Sequence, residues 1–362
     1  MFILSLQMVH ICNLNCSYCY LGQKNGKKLS MEIIDRALII AINEAKKQKD
    51  KTLETYFIGG EPLLAFEEIK KVVPQICTLC DQNNLKATFS ITTNATLLTK
   101  EIMDFMIQYH FDVKVSMDGD RKSHDLNRTY YSGEGSFQTI IDRLSLKDDY
   151  EQRTGKSMHV AQVVTPNNVG YLFENFKFLH EDLDFQFIET EMNGYVKWSK
   201  EDKQVLYEQI RKTMLYYMKK IQAEPYFIWD LMSRLAKNYI NDVSFYNCRV
   251  AVHSLFVNVN GVYYSCQECS GMELGSCKEN DLRVDKIREM ISIKETRNTE
   301  CLNCKYLKHC SVRGCIVENY NINNDIYKPV EISCYVTKVF MKLFDELYSS
   351  ESANKDKEDE AC

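Results

Sequence analysis

Several things are missing from this chain, and each absence removes a class of protein. No stretch of apolar residues approaches the roughly 18 in a row that a spanning helix needs. The N-terminus, MFILSLQMVHIC, has neither a basic n-region nor a small-residue cleavage site. The expectation is therefore a cytoplasmic protein with no membrane segment. No long basic block occurs, and 45 basic residues stand against 50 acidic ones for a net charge of -5, so charge gives no reason to expect a nucleic-acid or anionic-membrane partner. No internal repeat at a solenoid period is visible. What is present is a chain of 362 residues, 45% hydrophobic and 26% charged, enough to bury the core of one large domain or two ordinary ones. It also holds fifteen cysteines. Without an export signal these do not read as a disulfide framework, because cytosolic thiols stay reduced, and metal ligation becomes the leading explanation.

The first two-thirds alternates β-like runs with amphipathic stretches. FILSLQMV, LETYFIGG, KATFSITTN, DVKVSMDG, HVAQVVTP and DFQFIET are rich in Val, Ile, Phe or Thr and end in turn-forming or polar residues. The first helix-like segment starts after Ser30, a plausible N-cap, with Glu32 in its first turn. This alternation predicts an α/β fold: a partial (β/α)6 barrel of the TIM type over residues 1–197. Residues 198–245 read as bridging helices whose Tyr and Met stripe is core packing. Residues 246–348 carry Cys248, Cys266, Cys269, Cys277, Cys301, Cys304, Cys310, Cys315 and Cys334 with little periodicity, and read as a small metal-stapled domain. Residues 349–362 are polar and charged and read as a disordered tail containing Cys362. Cys77 and Cys80 fall in a helix-like segment and read as packing.

Chemistry in a parallel barrel sits at the C-terminal strand ends, where the sequence puts Gly59-Gly60-Glu61-Pro62, Thr93-Asn94, Ser116, Asp118 and the pair Glu189 and Glu191. Just after the first strand lie Cys12, Cys16 and Cys19. A structural zinc ion wants four protein ligands, and the only local fourth is His10. A cubic iron-sulfur cluster held by three thiolates instead leaves one iron open to a substrate or cofactor.

The C-x3-C-x2-C spacing, with Tyr18 before the last cysteine, resembles the cluster loop of the radical S-adenosylmethionine (radical SAM) family. The resemblance implies a [4Fe-4S] cluster whose open iron chelates the methionine moiety of S-adenosylmethionine, and cleavage of that cofactor to a 5'-deoxyadenosyl radical. It continues at Gly59-Gly60-Glu61-Pro62, at Thr93-Asn94 with Ala95 where the family has glycine, and at Ser116-Met117-Asp118-Gly119 followed by His124, Asp125 and Arg128. Tyr18, Gly59, Gly60, Glu61, Pro62, Thr93, Asn94, Ser116, Asp118 and Arg128 are thereby implied as cofactor-binding positions. The spacing Cys248-x12-Gly261-x4-Cys266, then Cys301-x2-Cys304-x5-Cys310-x4-Cys315 and Cys334, is similar to the family's SPASM extension, which carries two auxiliary [4Fe-4S] clusters. Carried over, Cys301, Cys304, Cys310 and Cys334 fill one cluster, and Cys248, Cys266 and Cys315 hold the other. Residues 249–265 contain no cysteine and only His253. Either Cys269 or Cys277 completes that second set, or the site stays open to a substrate thiolate.

Among SPASM enzymes, the resemblance leaves two reactions. Sulfatase-maturating enzymes, which oxidise Cys or Ser to formylglycine, carry a catalytic aspartate directly after the cysteine corresponding to Cys266, where this chain has Gln267; glutamine cannot accept a proton as a carboxylate does. The expectation is instead a maturase of ribosomally made precursor peptides that forms a thioether or carbon-carbon crosslink. Glu189 and Glu191, on one strand face, are its candidate catalytic residues. Flavodoxin or ferredoxin would supply electrons, and a separate leader-binding protein would compensate for the absence of an N-terminal recognition domain. A non-catalytic redox sensor or scaffold is the alternative of another class.

Overall fold

The computed structural model describes residues 1–266, 269–278 and 281–359. One sheet organises them. Strands β1 (Phe2–Val9), β2 (Thr52–Gly59), β3 (Lys86–Thr93), β4 (Asp112–Ser116), β5 (His159–Val164) and β6 (Phe187–Met192) run parallel, each beside the next in sequence. All six strands read from the sequence are therefore present, in the order that right-handed helical crossovers produce. The sheet is open, and it is longer than six strands. β7 (Ile228–Trp229) extends it beside β6, while β8 (Ser254–Val257) pairs parallel to β1 and carries β9 (Tyr263–Tyr264) antiparallel at the far edge. The cysteine-rich part of the chain thus begins by adding strands to the barrel sheet.

Helices α1 (Met31–Ala45), α2 (Phe66–Gln82) and α3 (Lys100–Gln108) cover the outer face. The Ser30 hydroxyl accepts from Ile33 N at 3.3 Å and Thr99 from Ile102 N at 3.3 Å, each satisfying one orphan donor of a first turn. Cys80 is wholly buried on α2 and Cys77 packs partly against the core, as expected for packing residues. The bridging region is a pair of helices, Lys200–Lys220 and Asp230–Ile240, whose Leu206, Ile210, Met214 and Tyr217 are buried. The last helix is Glu331–Asp359 and runs over most of the segment expected as a tail; Cys362 lies outside the described residues. No helix among the described residues is long and apolar enough to cross a membrane.

Alternation decides what the sheet offers on each face. Phe57 of β2 and Phe89 of β3 stack with Phe111, at 5.8 Å and 5.3 Å between ring centroids, and Phe105 of α3 adds a tilted contact 6.1 Å from Phe111. These rings lie between sheet and helices. The intervening residues Tyr56, Lys114 and Glu189 consequently point into the concave side. Phe111 is fully buried at the centre of the aromatic cluster, so Phe111→Ala is expected to cost about 3–5 kcal/mol, read as a lowered denaturant midpoint with an unchanged slope.

Candidate active site

The cysteine loop leaves β1 and is fastened on two sides. Gly60 N donates to Val9 O at 2.9 Å and Glu61 N to Ile11 O at 2.9 Å, so the end of β2 continues as a strand-like seam along the loop. A Cβ at Gly60 would lie 1.9 Å from Ile11 O, which only glycine avoids. On the other side Asn15 N bonds Thr129 O at 2.7 Å, Ser17 N bonds Asn127 O at 2.9 Å, and Lys24 Nζ reaches Leu14 O at 2.9 Å.

Glu61 is the buried anchor of the first side. Its carboxylate accepts from Leu63 N at 3.0 Å, Thr93 Oγ1 at 2.8 Å and Asn94 N at 2.7 Å. Burial pushes its pKa up to about 7 against the pull of those three donors. Asn94 then extends from this anchor to the loop: Nδ2 donates to Asn13 Oδ1 at 2.9 Å and lies 3.7 Å from Cys12 Sγ, which also receives Leu14 N at 3.4 Å. Ala95, standing where the resemblance leads one to expect glycine, keeps a left-handed backbone with φ of 62°, a conformation that costs an alanine roughly 1–2 kcal/mol. Pro62 opens the short turn Pro62–Ala65, capped by Glu61.

Behind the loop sits a buried charge cluster. Asp118 Oδ1 accepts from Arg128 Nε at 3.0 Å and Val163 N at 3.1 Å, and Oδ2 accepts from Tyr18 OH at 2.7 Å. The Arg128 guanidinium lies 5.2 Å from the Tyr18 ring centroid. His124 holds the segment in place: Nδ1 accepts from Asp118 N at 3.3 Å, so Nε2 carries the proton and donates to Ser136 Oγ at 2.9 Å, which donates to Arg128 O at 2.8 Å. Burial, with Arg128 adding to it, holds the His124 pKa well below the usual range. Ser116 ends β4 next to Ala161, half-buried.

This setting fits an anionic iron-sulfur group. Burial pushes the Cys12 thiol up to about 11 and raises that of Cys16, so neither is a free thiolate near neutral pH and each needs a metal or a cation to lose its proton. Arg128 acts against burial at Cys16, and Lys24 at both. His10, the zinc alternative's fourth ligand, instead accepts from Asn25 N at 3.1 Å through Nδ1. Among the described residues no group of three or more His, Cys, Asp or Glu closes on a single metal-ion position.

Seven of the later cysteines gather in two places. Cys301, Cys304, Cys310 and Cys334 line one cavity of about 480 Å³ together with Arg313 and Lys338. Cys301 is pushed up to about 11 by burial and by Cys310, Cys334 and Cys304 around it. Cys248 and Cys315 line a second cavity of about 410 Å³ with Glu191, Arg234 and Glu318, and Cys266 lies within Coulombic reach of Cys315. His253 faces Gln48, at 3.1 Å. Gln267 lies outside the described residues. The two candidate carboxylates separate: Glu189 pairs with Lys114 at 2.6 Å, whereas Glu191 contacts Arg234 at 2.9 Å and faces the second cavity. Sequence reading passed over Lys114, though its place two residues before Ser116 puts it on the same strand face. It also passed over Asn13, Lys24, Arg313 and Lys338, which no local pattern distinguishes from surface residues.

Residues 6–147 match the model of the Radical SAM superfamily. An uncharacterized protein of Methanocaldococcus jannaschii is 28% identical over 290 residues, covering 79% of this chain and 92% of that one. A cysteine-type anaerobic sulfatase-maturating enzyme of Clostridium perfringens is 28% identical over 181 residues, and this match spans only 48% of its length. Among solved structures, native anSMEcpe with bound AdoMet and Cp18Cys peptide superimposes with a TM-score of 0.74 at 20% identity, covering 97% of this chain and 99% of that one. Streptococcus suis SuiB bound to precursor peptide SuiA gives 0.61 at 17%, over 92% and 75%. These two likenesses establish a shared fold.

Two changes test the scaffold. Glu61→Gln turns an amide N–H toward a backbone or hydroxyl donor and is expected to cost about 1–3 kcal/mol, read by urea unfolding. His124 is neutral in the folded chain, while the unfolded chain takes up its proton near 6.5, so the folded state binds fewer protons and stability falls as pH drops below that value. The slope approaches about 1.4 kcal/mol per pH unit, and urea titrations of wild type and His124→Gln across pH 7 to 5 should show it lost in the variant.

Proposed function

From the radical SAM domain that this chain carries, we propose that it is a peptide-modifying enzyme, one that removes hydrogen from a ribosomally made precursor peptide and closes a thioether or carbon-carbon crosslink. Joining two such positions removes two hydrogens, which leave as one hydrogen atom, one electron and one proton. When bound, a [4Fe-4S] cluster at Cys12, Cys16 and Cys19 with S-adenosylmethionine supplies the hydrogen-abstracting radical, and two auxiliary clusters supply an electron acceptor.

The chain's own residues take the remaining parts. Tyr18, Asp118 and Arg128 hold the cysteine loop from behind, and Gly60 and Glu61 hold it from the strand ends. The Lys114–Glu189 pair, with Tyr56 bonded to Thr92 at 2.5 Å, gives the concave face polar groups against which an extended peptide backbone would lie. Glu191 is the proton acceptor: unlike Glu189 it borders the cavity that Cys248 and Cys315 also line. That shared cavity is the observation that carries the reading, because proton and electron then leave the substrate in one direction. Flavodoxin or ferredoxin as reductant and a separate leader-binding protein complete the proposed partners.

Formylglycine formation is the second reading, favoured by the sequence likeness to sulfatase-maturating enzymes over residues shared with about half of their length. Glu191 would be its base, since Gln267 follows Cys266. The two separate on product chemistry. Anaerobically reconstituted enzyme, given S-adenosylmethionine, dithionite and a synthetic library of cysteine-containing peptides, is expected to yield peptides lacking two hydrogens and unreactive toward hydrazide. A hydrazide-reactive aldehyde would establish formylglycine instead. Glu191→Gln is expected to lower turnover about 10²–10⁴-fold with iron content unchanged; full activity would remove Glu191 from the chemistry.

A further inference from the structure

The four-cysteine cavity already has a full thiolate set, whereas the set at Cys248, Cys266 and Cys315 is one short of the four that a closed [4Fe-4S] cluster takes. Two cysteines lie between Cys266 and Cys301, and the fold sends them to different places. Cys277 lies under the turn between β8 and β9: its N donates to Gly261 O at 2.8 Å, and its Sγ is 2.1 Å from where a Cβ on Gly261 would be. Its carbonyl accepts from Arg36 Nη1 of α1 at 2.8 Å, which anchors it against the helix layer.

Cys269 goes the other way. It is 2% exposed, and its Sγ lies 3.9 Å from Val317 O, two residues beyond Cys315. Resting on the auxiliary-cluster reading above, we propose that Cys269 is the fourth thiolate of the cluster held by Cys248, Cys266 and Cys315, and that Cys277 is a packing residue. A cluster bound there would displace the S–H proton that Cys269 directs at Val317 O. Cys266 and Cys269 then form a C-x2-C pair on one cluster, a spacing that suits two thiolates of a single cluster. A peptide thiolate would have no open iron here, so a substrate cysteine would be engaged at the barrel mouth instead.

The test compares full-length C269S, C277S and C315S with wild type after anaerobic reconstitution, by iron and sulfide content and low-temperature EPR. From about twelve irons per chain, C269S and C315S are expected to fall to about eight or to show a three-iron signal, with C277S at the wild-type value. Full iron and a wild-type spectrum in C269S, with loss in C315S, would overturn the assignment and leave the auxiliary cluster standing. Equal loss in C269S and C277S would overturn it too, since two buried cysteines would then behave alike. Full iron in C315S would instead sink the auxiliary-cluster reading beneath it.

Discussion

The backbone seam joining Gly60 and Glu61 to Val9 and Ile11 is the constraint on which the rest of the site depends. A loop that presents three thiols to one cluster must lose most of its freedom before the metal arrives, and a loop of this length has few side chains with which to do so. The strand end does it through the main chain. Gly60 permits contact that any Cβ would prevent, and the buried Glu61 carboxylate ties that strand end to Thr93 and Asn94 on the next. Asn94 then carries the order of β3 to Asn13 and Cys12. The sequence of fixed points runs from sheet to turn to thiol.

The opposite wall uses charge. Asp118 and Arg128 are a buried ion pair, a poor source of net stability because both ions lose their water. Their value is positional. Tyr18 OH and Val163 N bond the same Asp118 carboxylate and the neutral His124 holds the Asp118 backbone N–H, and the pair leaves a cation beside Cys16, where an iron-sulfur group would add negative charge. The same logic recurs at the far cavity, where Arg313 and Lys338 stand among four cysteines. Cys12 and Cys16 in one half of the chain, and Cys301, Cys310 and Cys334 in the other, are thiols that burial holds protonated and that each lie beside a fixed cation.

Much of this was legible beforehand because the signals were periodic or closely spaced. Six strands read from alternation and turn residues are all present, and Cys301, Cys304, Cys310 and Cys334, which the resemblance to the SPASM extension puts in one set, line one cavity. What escaped was non-local. β7 and β9 are two residues each, too short to carry a period, and exist because a neighbouring strand offers its edge. Cys269 and Cys277 cannot be ranked by spacing, since only the packing of Gly261 and Val317 tells their surroundings apart. Ala95 hides a left-handed backbone that local propensity argues against, and β3's ending imposes it. Lys114 was readable in principle, being on the face of Ser116, but a lone lysine on a strand looks like solvent-facing charge until Glu189 is brought opposite.

The most direct measurement is made anaerobically on the reconstituted full chain: count iron, sulfide and zinc, then add dithionite and S-adenosylmethionine and assay for 5'-deoxyadenosine. About twelve irons with matching sulfide, and deoxyadenosine that disappears when Cys16 is replaced by alanine, is the expected result. Zinc in place of iron, with no deoxyadenosine formed, would contradict it and make these cysteines structural.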